Sequence, residues 1–333
     1  MTDRDLPTER GAVVERPDAG GGASTPSYAL PHDAGDGLPG APSPLRLGPM
    51  TLDWGRRTFV MGVLNVTPDS FSGDGLLAAE DPVAAAVARA RRMVEDGADL
   101  LDIGGASSRP GHDRLSPEDE IGRVLPVIRA VSAALPATPL SIDTTSPAVA
   151  AAALDAGVHL LNDIWGVADD VAMVRLAADH GIPIVLMHNR AEARYRNVVP
   201  EVIADLQRAL DRALDAGVPW DHLVVDPGFG FGKTPEHNLA LLGDLAALDV
   251  LARPVLLGTS RKSTLGKVLD LPADQRVEAT AATTALGIAA GVDIVRVHDV
   301  RENVRTARVA DAIVRGWRPT GWAGSSRPAG ASG

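Results

Sequence analysis

An eight-fold α/β barrel is the fold class predicted, on three observations. From Thr58 onward, short Val/Ile/Leu-rich runs alternate with Ala/Leu-rich segments of helical period. The alternation repeats eight times without an exact internal sequence repeat. The eight units occupy about 270 residues, the length expected of eight parallel strands with crossover helices, a (β/α)8 TIM barrel.

The predicted strands, in order, are FVMGVLNV from Phe59, DLLDIGG from Asp99, PLSIDT from Pro139, HLLNDIW from His159, PIVLMHN from Pro183, HLVVDPG from His222, PVLLGTS from Pro254 and DIVRVHD from Asp293. Helix starts are marked where a capping hydroxyl precedes a first-turn proline, at Ser116-Pro117, Ser146-Pro147 and Thr234-Pro235. Outside the barrel, residues 1–45 contain DAGGGASTPS and PHDAGDGLPGAPSP, with too few large apolar side chains to offset the entropy of ordering. The expected organisation is a disordered tail over 1–45, a barrel over 46–318 and a second disordered tail over 319–333.

Composition excludes several classes. A formal charge of −11 is unsuited to a nucleic-acid binder, which presents a basic face to phosphates. Small anionic substrates need only a few local cations and stay open. No run of about 18 or more apolar residues is present, and no charged segment followed by an apolar stretch opens the chain. Neither membrane attachment nor export is expected, and the cytoplasm is the expected compartment. Cysteine is absent, which removes disulfides and thiolate chemistry.

Barrel enzymes gather their reactive groups at the C-terminal ends of the strands. Here those ends carry Asn65, Asp102, Asp143, Asn162 with Asp163, His188, Asp226, Lys262, and Arg296 with His298. Any one of them could serve solubility alone, but polar residues at all eight ends point to a site. Arg296 and His298 stand two apart in a strand, so both face the same way. GFGFGKT is not a phosphate-binding P-loop, because Pro227 stands where that motif needs its first glycine. His180, His222 and His237 lack metal-ligand spacing and are read as structural or solvent-facing. Asp102 is expected to brace its own loop.

Five segments, MGVLNVTPDSFSGDG (61–75), DIGGASSRPG (102–111), DPGFGFGK (226–233), GTSRKS (258–263) and RVHDV (296–300), together resemble the dihydropteroate synthase family of pterin-binding TIM barrels. The resemblance implies condensation of 6-hydroxymethyl-7,8-dihydropterin diphosphate with p-aminobenzoate to give 7,8-dihydropteroate and diphosphate, in folate biosynthesis. It assigns the pterin pocket to Asp143, Asn162, Met187, Asp226, Phe231 and Lys262. A pterin ring presents amino and ring N–H donors beside a carbonyl, so Asp226 suits the former and Lys262 the latter; Met187 also has a plain reading as core packing. The diphosphate falls to Asn65, Arg109, Arg296 and His298, with Mg²⁺ held in part by Asn65. Phe71, Ser108, Pro110 and Ser263 are implied to receive p-aminobenzoate, the first three on two loops that close over the substrates, with Asp69 beside Phe71 in the first. A homodimer built through the later helices is implied as well.

The chain departs from the family pattern at two places. Ala106 stands where a glutamate is usual, beside Ser108 in place of threonine, and Ser146 replaces a lysine common after the third strand. Two rival readings follow. A methyltetrahydrofolate corrinoid methyltransferase would share the pterin acids but needs neither the SRPG turn nor the Arg296/His298 pair. A pterin-binding paralogue without turnover would be favoured by Ala106 alone.

Overall fold

Each of the eight apolar runs forms a strand in the computed structural model, which describes residues 42–67, 80–106, 115–168 and 170–322. A hairpin of β1 (Leu45–Leu47) and β2 (Met50–Leu52) precedes the barrel strands β3 (Phe59–Asn65), β4 (Leu100–Gly104), β5 (Leu140–Asp143), β6 (Leu160–Asp163), β7 (Ile184–Met187), β8 (Leu223–Asp226), β9 (Leu256–Leu257) and β10 (Ile294–Val297). All eight barrel strands run parallel, in the order β8-β7-β6-β5-β4-β3-β10-β9. A parallel bridge between Val225 and Val255 brings the two ends of the sheet together into a barrel.

Helices follow the strands: α1 (Pro82–Glu95), α2 (Pro117–Ala134), α3 (Pro147–Asp155), α4 (Ala172–His180), α5 (Val198–Asp215), α6 (Pro235–Gly243), α7 (Ser263–Leu269), α8 (Val277–Ala289) and α9 (Val300–Val314). The three predicted caps are in place. Ser116 Oγ accepts from Asp119 N at 3.1 Å, Ser146 Oγ from Val149 N at 3.4 Å, and Thr234 Oγ1 from His237 N at 3.2 Å. No helix among the described residues is long and apolar enough to cross a membrane. Most of both predicted tails, 1–41 and 323–333, lies outside the described residues.

Strand periodicity divides the barrel residues between two apolar clusters. Outward-facing Val60, Leu64, Leu101, Ile103, Ile142, Leu161 and Val225 belong to the cluster shared with the helices. Inward-facing Phe59, Met61, Leu100, Leu160, Val185, Val224, Leu256 and Ile294 fill the lower interior, together with Leu45, Leu47, Leu52 and Trp54. The hairpin therefore stoppers the N-terminal mouth. It is absent from the sequence reading because each of its strands is only three residues long and its apolar residues stand singly between polar ones. Each fully buried leucine contributes roughly 1.5–3 kcal/mol of transfer free energy, so the stopper is a substantial part of the interior.

The same end is fastened by charge. Asp311 in α9 accepts from Thr58 N and Thr58 Oγ1, both at 2.8 Å, tying the last helix to the first barrel strand. Arg57 forks onto Asp99 at 2.9 and 2.6 Å. Rigid closure below leaves the opposite end for chemistry.

Candidate active site

The inward columns of the barrel change character midway up. Leu100 is followed on its column by Asp102, Leu160 by Asn162, Val224 by Asp226 and Ile294 by Arg296. Alternation along a strand thus delivers a polar layer directly above the apolar floor, and Asn65, Gly104, Asp143, Met187 and Gly258 join it by the same parity. Met187 is buried, yet it belongs to neither apolar cluster.

Arg296 occupies the middle of this layer. Its Nε donates to Asp102 Oδ2 at 2.6 Å and its Nη2 to Asp143 Oδ2 at 2.7 Å. Asn162 Nδ2 also donates to Asp102 Oδ2, at 3.1 Å. Burial works against the guanidinium charge, but the two carboxylates outweigh it and hold its pKa above the ordinary value. Asp143 is pushed up to about 7, first by burial and further by Asp102 and Glu120, with Arg296 opposing. Nη1 of Arg296 has no hydrogen-bond partner among the described residues, which leaves donors for an anion. Beyond Arg296, His298 pairs through Nδ1 with Ser260 Oγ at 3.0 Å, and its backbone N–H donates to the same oxygen at 3.1 Å.

Across the layer, burial raises the pKa of Asp226, and Lys262 opposes that rise. Asp226 Oδ1 accepts from Gly228 N at 2.7 Å. Lys262 donates to Phe229 O and lies 4.5 Å from the centroid of the Phe231 ring. Burial lowers its pKa to about 8 against the pull of Asp226. The 226–233 loop that carries Asp226, Phe229 and Phe231 is docked on the backbone just past the end of β7. A Cβ on Gly228, where φ is +67°, would stand 1.8 Å from His188 O, and one on Gly232 would stand 2.3 Å from Arg190 O. Glycine is required at both positions.

Nine of the sequence-predicted residues gather at this end: Asn65, Asp143, Asn162, Met187, Asp226, Phe231, Lys262, Arg296 and His298. Ser263 begins α7 and is exposed. Phe71, Ser108, Arg109 and Pro110, with Asp69, lie outside the described residues. Ala106 is exposed at the strand end. His237 closes the capping box of α6, and His180 bonds Leu176 O at 3.0 Å, in keeping with their structural reading.

Asp102 requires a correction. It does not brace its loop; its side chain is fully buried and grips Arg296 and Asn162 inside the barrel. Strand parity held the signal, since Asp102 is two residues from inward-facing Leu100. Two other contributors were missed. Ser260, which holds His298, lies 38 residues from it, and Lys233, which holds the glycine loop, bonds a histidine 45 residues away. No local pattern reports such pairs.

A barrel whose polar layer sets a carboxylate and a lysine beside an arginine, with a histidine beyond, is suited to a flat hydrogen-bonding heterocycle with an anionic substituent. The pterin binding enzyme family matches residues 61–298, and the chain belongs to it. The dihydropteroate synthase of Bacillus subtilis is 46% identical over 266 residues, covering 80% of this chain and 92% of the relative. That of Clostridium beijerinckii is 44% identical over 272 residues, covering 81% of this chain and all of the relative. A crystal structure of the Clostridium difficile dihydropteroate synthase in the presence of pteroic acid superposes with a TM-score of 0.75 at 44% identity, covering 79% of this chain and 99% of that one. The activity is that of a dihydropteroate synthase, a transferase of folate biosynthesis that joins a dihydropterin diphosphate to p-aminobenzoate.

Proposed function

We propose that the polar layer binds the pterin at its floor and the diphosphate at its rim. The observation that carries the reading is that Lys262 reaches into the loop opened by Asp226, donating to Phe229 O with its ammonium 4.5 Å from the Phe231 ring centroid, and that Asp226 and Lys262 are each the strongest opposite charge acting on the other. An ionised Asp226 accepts from the 2-amino group and ring N–H, Lys262 donates to the carbonyl side, and Asn162 and Asp143 complete the rim. Met187 and Phe231 supply apolar contact to the ring. A Xanthomonas albilineans dihydropteroate synthase, 39% identical with a TM-score of 0.69, has been solved in complex with 7,8-dihydropteroate, which supports a pterin as the ligand.

Diphosphate departure places negative charge where Arg296 and His298 stand, and fixed donors there stabilise that charge better than mobile water does. Among the described residues no group of three or more His, Cys, Asp or Glu could hold a metal. Asn65, at the C-terminal end of β3, offers a side-chain oxygen that would hold Mg²⁺ together with phosphate oxygens and water. When bound, the ion would neutralise part of the leaving group's charge. Arg109 joins the diphosphate site in this reading, and Phe71, Ser108, Pro110 and Ser263 receive p-aminobenzoate. The arylamine attacks after the C–O bond has broken, so no strong general base is required.

The assembly we propose is a cytoplasmic homodimer. Exposed Leu286 on α8 and Val309 and Ile313 on α9, at 64%, 62% and 69% exposure, supply an apolar face on the later helices. Sedimentation of wild type and Ile313→Glu checks it, with a dimer expected for the first only. For the site, the decisive experiment supplies dihydropterin diphosphate, p-aminobenzoate and Mg²⁺ and measures dihydropteroate and diphosphate. Asp226→Asn should abolish pterin binding; retained binding would remove the floor assignment.

A further inference from the structure

Lys233 lies beneath the pterin-facing loop and has no part in the chemistry described above. Its ammonium makes three hydrogen bonds, the full complement of its donors. It donates to Gly228 O at 2.9 Å, to Phe231 O at 3.0 Å and to His188 Nδ1 at 2.9 Å. The first two acceptors belong to the loop itself, so the 226–233 segment is wrapped around its own final side chain.

The third acceptor fixes the loop to the barrel. His188 is fully buried. To accept at Nδ1 it must be neutral with its proton on Nε2, and Nε2 lies 3.0 Å from Asp205 Oδ2, which can only accept. Burial first, and the ammonium of Lys233 second, push the imidazole down to about 3, consistent with the neutral ring. Asp205 is itself immobilised by Arg190, through Nε at 2.9 Å and Nη2 at 2.8 Å, and by Arg208. A continuous chain, Asp205–His188–Lys233, therefore runs from the outer helix α5 to the carbonyls of the loop. Tyr195 Oη adds a bond to Gly232 O at 2.9 Å.

Burial lowers the Lys233 pKa to about 7, with Asp226 and Asp205 opposing, so below that pH a charge is held at a place where neutral bonds could also close a glycine loop. What the charge adds is its position. Lys233 acts on Asp226 as a second cation beside Lys262, and both oppose the effect of burial on that carboxylate. Its grip on Phe231 O sets the ring over which Lys262 lies, and Phe229 O, which accepts from Lys262, is in the same loop.

We propose that Lys233 is a positioning residue for pterin recognition: anchored through His188 and Asp205, it sets the 226–233 loop so that Asp226, Phe231 and Lys262 meet the ring together. The inference rests on the assignment of Asp226 to the pterin. The test compares purified Lys233→Met with wild type, using calorimetric titration with 6-hydroxymethylpterin, which lacks phosphates, and steady-state kinetics. The affinity for that pterin should fall by about tenfold or more, with KM for the diphosphate substrate rising by a similar factor, the scale of one lost charged hydrogen bond. KM for p-aminobenzoate should change less than about twofold and kcat less than about threefold, a split that general loosening would not give. A variant that melts cooperatively and binds the pterin within about twofold of wild type overturns the proposal. Asp226→Asn separates the two readings: if it weakens pterin binding while Lys233→Met does not, the Lys233 role fails alone, and if neither does, the pocket assignment falls with it. Should Lys233→Met not fold, ¹⁵N spectra of the wild-type enzyme decide. A protected Lys233 ammonium signal that shifts on adding 6-hydroxymethylpterin supports the role, and an ammonium signal indifferent to the pterin overturns it.

Discussion

Arg296 reaches Asp102 across 194 residues of sequence, its Nε 2.6 Å from an aspartate oxygen that water does not touch. With Asp143 on the other side, the guanidinium is aimed before any substrate arrives, and such preorganisation lowers the cost of receiving a diphosphate.

Removing that guanidinium should separate the two halves of the substrate. Arg296→Ala is expected to weaken binding of the dihydropterin diphosphate by about 10- to 100-fold, while a pterin without phosphates loses far less. Calorimetric titration with both ligands checks it, and equal losses would remove the phosphate assignment. Stranding Asp102 should also cost about 3–5 kcal/mol of stability, visible in urea unfolding.

Lys262 gives a pH dependence. With its pKa lowered by burial to about 8, it is a cation below that pH and loses its proton as pH rises through it. The pH profile of kcat/KM for the pterin substrate, which reports the free enzyme, should fall on an alkaline limb near pH 8. In Lys262→Arg, whose guanidinium stays charged, the limb should be absent, whatever the loss in rate. An unchanged limb would assign it elsewhere.

Asp143 makes the opposite prediction for stability. Its folded pKa is raised from 3.8 to about 7, chiefly by burial. Between those values the folded state holds more protons than the unfolded one, so this group's contribution to stability falls as pH rises through the window. Asp143→Asn removes the fall. Its melting temperature relative to wild type should be higher at pH 8 than at pH 5 by several degrees, measured by calorimetry at both.

The hairpin supplies a control at the far end. Leu52 is fully buried in the stopper, and Leu52→Ala should cost about 2–5 kcal/mol without altering KM for either substrate. A change in KM would mean that the floor communicates with the site.

The strands were legible because their outward faces pack against helices and read as continuous Val/Ile/Leu runs. Most of the site was legible for a related reason: a polar residue two places beyond an inward apolar residue interrupts such a run at a fixed phase, as at Asp226 after Val224 and Arg296 after Ile294. The phase also held the answer for Asp102, although its partner in β10 could be identified only from the folded barrel. Lys233 was beyond reach. Its meaning depends on His188 and Asp205, and those three residues meet only because β7, α5 and the loop after β8 converge. The hairpin escaped because three-residue strands carry almost no period.

The stoppered floor has a kinetic consequence. A vessel closed at the bottom has one mouth, so whatever settles deepest must enter first and leave last. If the pterin lies against Asp226 and the arylamine is received above it, the second substrate seals in the first. Order of addition is then a matter of traffic, fixed at the opposite end of the molecule by four apolar side chains that touch neither substrate.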